Sequence, residues 1–275
     1  MTEEWGSDFF GGLNDFPPEP VAGIGHILDA MAALPAFRDA RQWVLANLRV
    51  PSGGSILEAG CGNGASHADL HGIVGPSGRI VGIDPTVGFI ESARNRSKQH
   101  GWTNAAYETG DIRKLPRKEN EFDGVFCDKV LIHAGPASAA LREMSRVTRP
   151  GGGVGAIEWL PFFVVSATDS LALTAFNAIF QKALYDYYIS ANLARHFRAA
   201  GLENVRTRAF LAYTTSLEEH PFWRAFVIQQ MPMFVQANLI DEKDGNAFIK
   251  DIEALNAANI FSASFLVQAA SGTKA

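Results

Sequence analysis

The apolar positions of this chain change their period several times, and those changes divide it. Across residues 21–48, Ile27, Met31, Leu34, Phe37, Val44, Leu45 and Leu48 recur at helical spacing, and Pro35 splits the run into two helices. Pro51, Ser52, Gly53 and Gly54 then form a turn. Beyond it the pattern becomes short apolar runs, each closed by an acid or a glycine. Ile56-Leu57, Arg79–Asp84, Ala105–Thr109, Phe122–Asp128 and residues 154–158 are such runs, too brief for helices and suited to buried strands. Residues 65–73, 86–100 and 136–147 read as the helices between them. This alternation predicts a parallel sheet with helices on both faces.

After Trp159 the rhythm changes. Residues 171–200 and 216–256 read as helical, the second with Pro221 and Pro232 as breaks, while residues 205–211 and 261–269 read as strands. Gly201 is placed as a helix C-cap. The expected fold is α/β, a doubly wound, seven-stranded and mainly parallel sheet with helical cap insertions. Residues 1–50 would be an arm and helices forming part of a lid, 51–160 a cofactor-binding core, and 161–275 the cap and closing strands, one domain overall. Residues 1–20 are rich in Gly and Pro and carry Trp5, Phe9, Phe10 and Phe16, which suits either a loose arm or a lid.

Composition narrows the function. A hydrophobic share of 47% and a charged share of 19% are ordinary for a chain with a real core. The net charge of −5, with no predicted face that concentrates Lys and Arg, argues against a nucleic-acid partner. The run Arg94, Arg96, Lys98 reads as a solvated helix face. Two cysteines, Cys61 and Cys127, cannot build a disulfide framework or a zinc site alone, so no metal is expected. The first residues lack the basic start and apolar core of a signal peptide, and runs such as 159–165 are too short to span a bilayer. The expectation is a cytoplasmic protein, monomer or homodimer.

The chemistry concentrates at Glu58-Ala59-Gly60-Cys61-Gly62-Asn63-Gly64. A strand that runs through a glycine turn into a helix presents backbone N–H groups, and only glycine lets a ligand approach so closely. Glu58 before that turn repels phosphate but can accept from a cationic or hydroxylated ligand. Asp84, ending the second strand, reads either as a helix N-cap or as a ribose ligand. Gly60, Gly62 and Ala65 also satisfy a dinucleotide fingerprint with Asp84 near the expected offset, but a pyrophosphate is badly served by Glu58.

The glycine turn, Asp84, the Gly110-Asp111-Ile112 turn, and the junction Leu141-Arg142-Glu143-Met144-Ser145-Arg146-Val147-Thr148-Arg149-Pro150-Gly151-Gly152 occur in an order that resembles class I S-adenosylmethionine-dependent methyltransferases. The resemblance covers roughly residues 54–158, and is to the small-molecule branch that includes ubiquinone and menaquinone methyltransferases and natural-product tailoring enzymes. It implies S-adenosyl-L-methionine as cofactor, with S-adenosyl-L-homocysteine as product. The implied cofactor residues are Glu58, Gly60, Cys61, Gly62, Asn63, Gly64, Asp84, Pro85, Gly110, Asp111, Ile112, Asp128 and Lys129. Asp84 would hold the ribose, and Asp111 with Ile112 the adenine.

Methyl transfer needs alignment and exclusion of water, and needs a base only where the acceptor carries a proton. Asp128 and His133, after the fourth strand, are the candidate catalytic residues, with His133 also a helix-capping or substrate-binding candidate. Trp5, Phe9, Trp159 and Tyr188 are the further substrate candidates, on the expectation that arm and cap build an apolar pocket; the same aromatics would also serve as the cap's own core. The expected reaction is O-, N- or C-methylation of an apolar or aromatic small molecule. Members of the branch repurposed for cyclisation offer one alternative, and a nicotinamide oxidoreductase a more distant one.

Overall fold

The computed structural model describes residues 13–15 and 18–275. Helices α1 (Pro18–Ala33) and α2 (Pro35–Leu48) come first, and Pro35 begins the second rather than kinking a longer helix. Then follow β1 (Ser55–Ala59), α3 (His67–Val74), β2 (Arg79–Asp84), α4 (Val87–His100), β3 (Ala105–Thr109), β4 (Phe122–Asp128), α5 (Ala137–Val147) and β5 (Thr148–Val165). The sheet order is β3-β2-β1-β4-β5-β7-β6, with β6 at Leu202–Thr214 and β7 at Ala263–Lys274. β7 runs antiparallel to both neighbours, whereas β1 to β5 pair in parallel. The expected mainly parallel, seven-stranded sheet is what forms.

The order reverses beside β1, which lies between β2 and β4. In an open α/β sheet that reversal leaves a crevice beyond the carboxyl ends of the strands. Glu58 pairs in register with Gly82 and Phe126, and Asp128 with Ile157. The acids at the strand ends therefore share one edge. Helix α2 packs on the sheet through Phe37, Ala40, Val44, Leu45 and Leu48, all buried. It comes so near that a Cβ at Gly153 would lie 2.5 Å from the Leu48 backbone, which explains a glycine inside β5.

Three expectations after Trp159 change. β5 and β7 are longer than their apolar cores suggested, and they run on together as an antiparallel pair to Val165 and Ala263. The helix expected over residues 171–200 is two, α6 (Ser170–Ala183) and α7 (Ile189–Ala199). The chain breaks at Asp186, whose amide donates to Ile132 O at 3.3 Å and whose side chain accepts from Tyr188 N at 3.2 Å. Helix α7 then covers β5, β6 and β7 with Leu193 and Phe197, so it belongs to the sheet's own helical layer and not to a cap. Pro221 and Pro232 start helices α8 (Pro221–Arg224) and α9 (Met231–Gln236), joined by a π-helical turn over Ala225–Gln229.

Helix α10 (Glu242–Ala257) completes that group. Phe176 of α6 stacks on Phe248 of α10 with ring centroids 4.4 Å apart. Trp159, Phe163 and Phe265 of the sheet are buried with Phe180, Phe222 and Phe226 from the helices, in edge-on and stacked contacts of 4.9 to 5.9 Å. Among the described residues no helix is long and apolar enough to cross a membrane.

Candidate functional site

A cavity of about 320 Å³ opens at the carboxyl edge beside β1. That size falls within the range of roughly 300–1,000 Å³ usual for small-molecule sites. Its wall takes Glu58, Gly60, Cys61, Gly62 and Asn63 from the glycine turn, Asp84 and Pro85 after β2, Gly110 to Arg113 after β3, and Asp128 to Val130 with His133 after β4. Of the predicted cofactor residues only Gly64 stays off the wall: its φ is +75°, and a Cβ there would press on Ala93 of α4.

The glycine turn works differently from the donor cradle expected of it. Gly60 N and Cys61 N both donate to Ile83 O, at 2.7 and 3.0 Å, and Gly64 N donates to Cys61 O at 3.0 Å. Gly62 N donates to Asp84 Oδ2 at 2.9 Å. These amides are engaged inside the protein. The turn admits a ligand through its lack of side chains: Gly60 has φ +79°, and a Cβ there would stand 2.4 Å from Val130 Cγ2.

Asp84 is 6% exposed, and its Oδ1 accepts from Thr86 N at 2.9 Å. The helix N-cap is Thr86 and not Asp84, which instead fastens the turn before α4 and faces the cavity. Burial pushes its carboxyl up to about 6 despite the two backbone donors. Asp111 loses more than desolvation would add, because Arg113 bonds both its oxygens and pulls its carboxyl below the usual range.

Asp128 lies between two cations. Lys129 Nζ is 2.7 Å from its Oδ1 and Arg41 from α2 is 3.4 Å from its Oδ2. A carboxylate so held suits the recognition of a cationic group better than the taking of a proton. Lys129 itself has φ +63° and places its ammonium 4.6 Å from the Phe37 ring centroid. Glu158, fully buried on β5, accepts from Val130 N and Leu131 N at 3.0 and 2.7 Å and so shapes the turn that carries His133. Burial raises the Glu158 carboxyl to about 8. His133 is on the cavity wall, and burial lowers its imidazole to about 4.

Helix α1 closes the cavity with Leu28 and Ala32, and Asn14 adds to the same side. Asn63 Nδ2 donates to Gly25 O and to Asp29 Oδ1 at 3.1 and 3.0 Å, and Arg96 NH2 reaches Asp29 Oδ1 at 2.6 Å. Asn14 Nδ2 donates to Pro85 O, and Asn14 Oδ1 accepts from Val87 N. Of the regions expected to cover the site, residues 1–50 contribute Asn14 and α1 to the cavity wall, and among the described residues none from 171–256 is on it.

The substrate candidates separate. Trp159 is 5% exposed inside the aromatic core and off the cavity wall. Tyr188 is 60% exposed and packs edge-on against Tyr187. Only His133 of that set is on the wall; Trp5 and Phe9 lie outside the described residues. Cys61 and Cys127 are free and buried. Sequence reading missed Arg41, His67 and Arg113. Arg113 alone carried a local signal, its spacing of two from Asp111, while Arg41 and His67 meet partners distant in the chain.

A family model described as a methyltransferase domain matches residues 51–160. The chain is 38% identical over 125 residues to an uncharacterized 37.1 kDa protein in transposon TN4556 of Streptomyces fradiae, covering 46% of this chain and 36% of that protein. It is 28% identical over 201 residues to demethylmenaquinone methyltransferase of Staphylococcus aureus, covering 66% of this chain and 83% of the relative. Haemonchus contortus phosphoethanolamine N-methyltransferase 2, solved with S-adenosyl-L-methionine, superposes with a TM-score of 0.61 at 13% identity over 97% of this chain and 59% of that one. At that identity the likeness is one of fold.

Proposed function

We propose that the chain is a class I S-adenosylmethionine-dependent methyltransferase that methylates an apolar or aromatic small molecule, a reading supported by the methyltransferase-domain match and the demethylmenaquinone methyltransferase relative. The carrying observation is the charge of the cavity wall. Glu58, Asp84, Asp111 and Asp128 face it against only Arg113 and Lys129. An acidic wall with its turn amides already engaged suits a sulfonium-bearing, ammonium-bearing ligand and opposes a pyrophosphate. That weighs against the nicotinamide alternative.

S-adenosylmethionine supplies a sulfonium-bound methyl group for transfer to a nucleophilic atom. Asp84 would accept from its ribose hydroxyls, Asp111 and Ile112 would flank the adenine, and Glu58 and Asp128 would hold the cationic end. Leu28, Ala32, Phe89, Val130 and Ala134 give the wall an apolar side, which supports an apolar acceptor and exclusion of water. His133, uncharged at neutral pH, can accept a proton or a hydrogen bond from an acceptor hydroxyl or amine. Demethylmenaquinone, for which the Staphylococcus aureus relative is named, makes quinols a sensible first class to test.

The experiment is incubation of the protein with methyl-labelled cofactor and a panel of quinols, phenols, amines and prenylated compounds, read by mass spectrometry. Labelled product from an apolar or aromatic member supports the reading. Binding of S-adenosylhomocysteine with label found only in polar amines would overturn the acceptor class.

A further inference from the structure

Behind the cavity wall, three polar side chains are sealed from solvent in one row. Glu58 is 2% exposed, His67 0% and Tyr107 7%. They come from β1, from the first residue of α3 and from β3. The sheet explains how they meet. Glu58, Gly82 and Tyr107 are paired in register across three adjacent strands. Residues so paired project to the same face. Gly82 carries no side chain between them, and Cys61 packs there instead: a Cβ on Gly82 would stand 2.8 Å from Cys61 Sγ and 2.9 Å from Tyr107 Cδ1. His67 enters that region from above.

The imidazole stacks on the Tyr107 ring at 4.9 Å and 16°, with Nδ1 2.6 Å from the Tyr107 hydroxyl. Its Nε2 lies 2.6 Å from Glu58 Oε2, while Ser66 Oγ donates to Glu58 Oε1. Burial pushes the Tyr107 phenol up to about 12, so its hydroxyl keeps a proton to give. The two 2.6 Å contacts place the imidazole between the Tyr107 hydroxyl and the Glu58 carboxylate. Of the row, only Glu58 and the neighbouring Ser66 reach the cavity wall.

We infer that His67 is a positioning residue for the cofactor: held by the Tyr107 hydroxyl and ring and 2.6 Å from Glu58 Oε2, it sets where the Glu58 side chain lies on the cavity wall, and cofactor affinity depends on that hold. The inference rests on the cavity being the S-adenosylmethionine site. A side chain held behind Glu58 orients the carboxylate without itself entering the cavity. A purely structural histidine would matter for folding and not for affinity.

Calorimetry with S-adenosylhomocysteine, beside thermal unfolding, separates the two. His67→Leu fills the site but gives Glu58 no donor, and should weaken binding about tenfold or more. His67→Gln returns a side-chain N–H near the place of Nε2 and should recover most of that affinity, whatever the order of the two melting temperatures. Equal affinities for wild type and His67→Leu would overturn the inference. Should His67→Leu fail to fold, Tyr107→Phe decides the matter, since it keeps the ring and removes only the hydroxyl. There, nitrogen-15 spectra of His67 should show a tautomer balance different from that of wild type, and affinity should fall about threefold. An unchanged tautomer and affinity would overturn it equally. Wild-type protein that binds no S-adenosylhomocysteine would instead defeat the reading of the cavity.

Discussion

Asp84 Oδ2 accepts the Gly62 amide at 2.9 Å, so the acid that ends β2 also fastens the glycine turn that follows β1. One carboxylate thus shapes the cavity from two strands. Any change to it acts on the turn and on the ligand together.

The first prediction follows from the raised carboxyl of Asp84, near 6 against an ordinary 3.8. For a raised acid the stability contribution is present below the lower value and lost as pH climbs through the upper one. The ionised group therefore costs the free protein about 3 kcal/mol above pH 6. Ligand affinity should move the opposite way, because protonation removes the acceptor. Calorimetry should show S-adenosylhomocysteine binding weakening below about pH 6, and Asp84→Asn should be weak at every pH. A flat wild-type profile from pH 7.5 to 5 would remove Asp84 from the ribose.

Glu158 gives a second pH prediction of the same sign. Its carboxyl stands near 8 in the fold against 4.5 ordinarily, so stability tied to its proton is lost as pH rises through 8. Glu158→Gln keeps an oxygen for Val130 N and Leu131 N and cannot ionise. The variant should match wild type in melting temperature near pH 4 and exceed it increasingly as pH rises towards 9. Parallel curves for the two proteins would show that Glu158 is ionised in the fold at neutral pH.

His133 should leave no ordinary histidine limb in a rate profile. With its imidazole near 4, it stays uncharged from pH 5.5 upward. His133→Ala should lower kcat about a hundredfold for a hydroxyl acceptor and much less for one that reacts without losing a proton. An equal loss for both acceptors would make His133 a matter of packing or binding.

The Asp29 contact predicts a rate. Asp29→Ala removes the acceptor shared by Asn63 and Arg96, the fastening of α1 onto the glycine turn. Both partners are partly exposed, so stability should change by about 1 kcal/mol or less. Stopped-flow dissociation of S-adenosylhomocysteine should nevertheless quicken several-fold, and residues 24–33 should exchange hydrogen faster. Unchanged dissociation would mean that α1 does not govern access.

Cys61 and Cys127 should resist thiol reagents. Both are buried, and desolvation raises both thiols well above their usual range. Native protein should take up no label within minutes, and denatured protein two. Fast native labelling would show that the cavity turn or β4 opens.

How much of this was legible in the chain has a physical pattern. Apolar runs closed by acids gave β2 and β4 to the residue, because a buried strand must be apolar and a strand end at a polar cavity must not be, and the edge strand β3 was bounded by the glycine after it. The glycine turn, Asp84, Asp111 and the turn after β4 were legible for the same reason: each is a local sequence signal, and the parallel order carries all of them to one edge. What the sequence did not show are meetings between distant residues. Trp159 looks the same whether it faces a ligand or a Phe cluster, and only the packing of α6 and the π-helical turn against β5 put it in the core. His67 reads as an ordinary first-turn residue until the fold sets it between Glu58 and Tyr107. Periodicity is a property of neighbours along the chain and sets which face is buried. Which side chain waits on the other side of that face is decided by register and strand order, and those exist only once the sheet has formed.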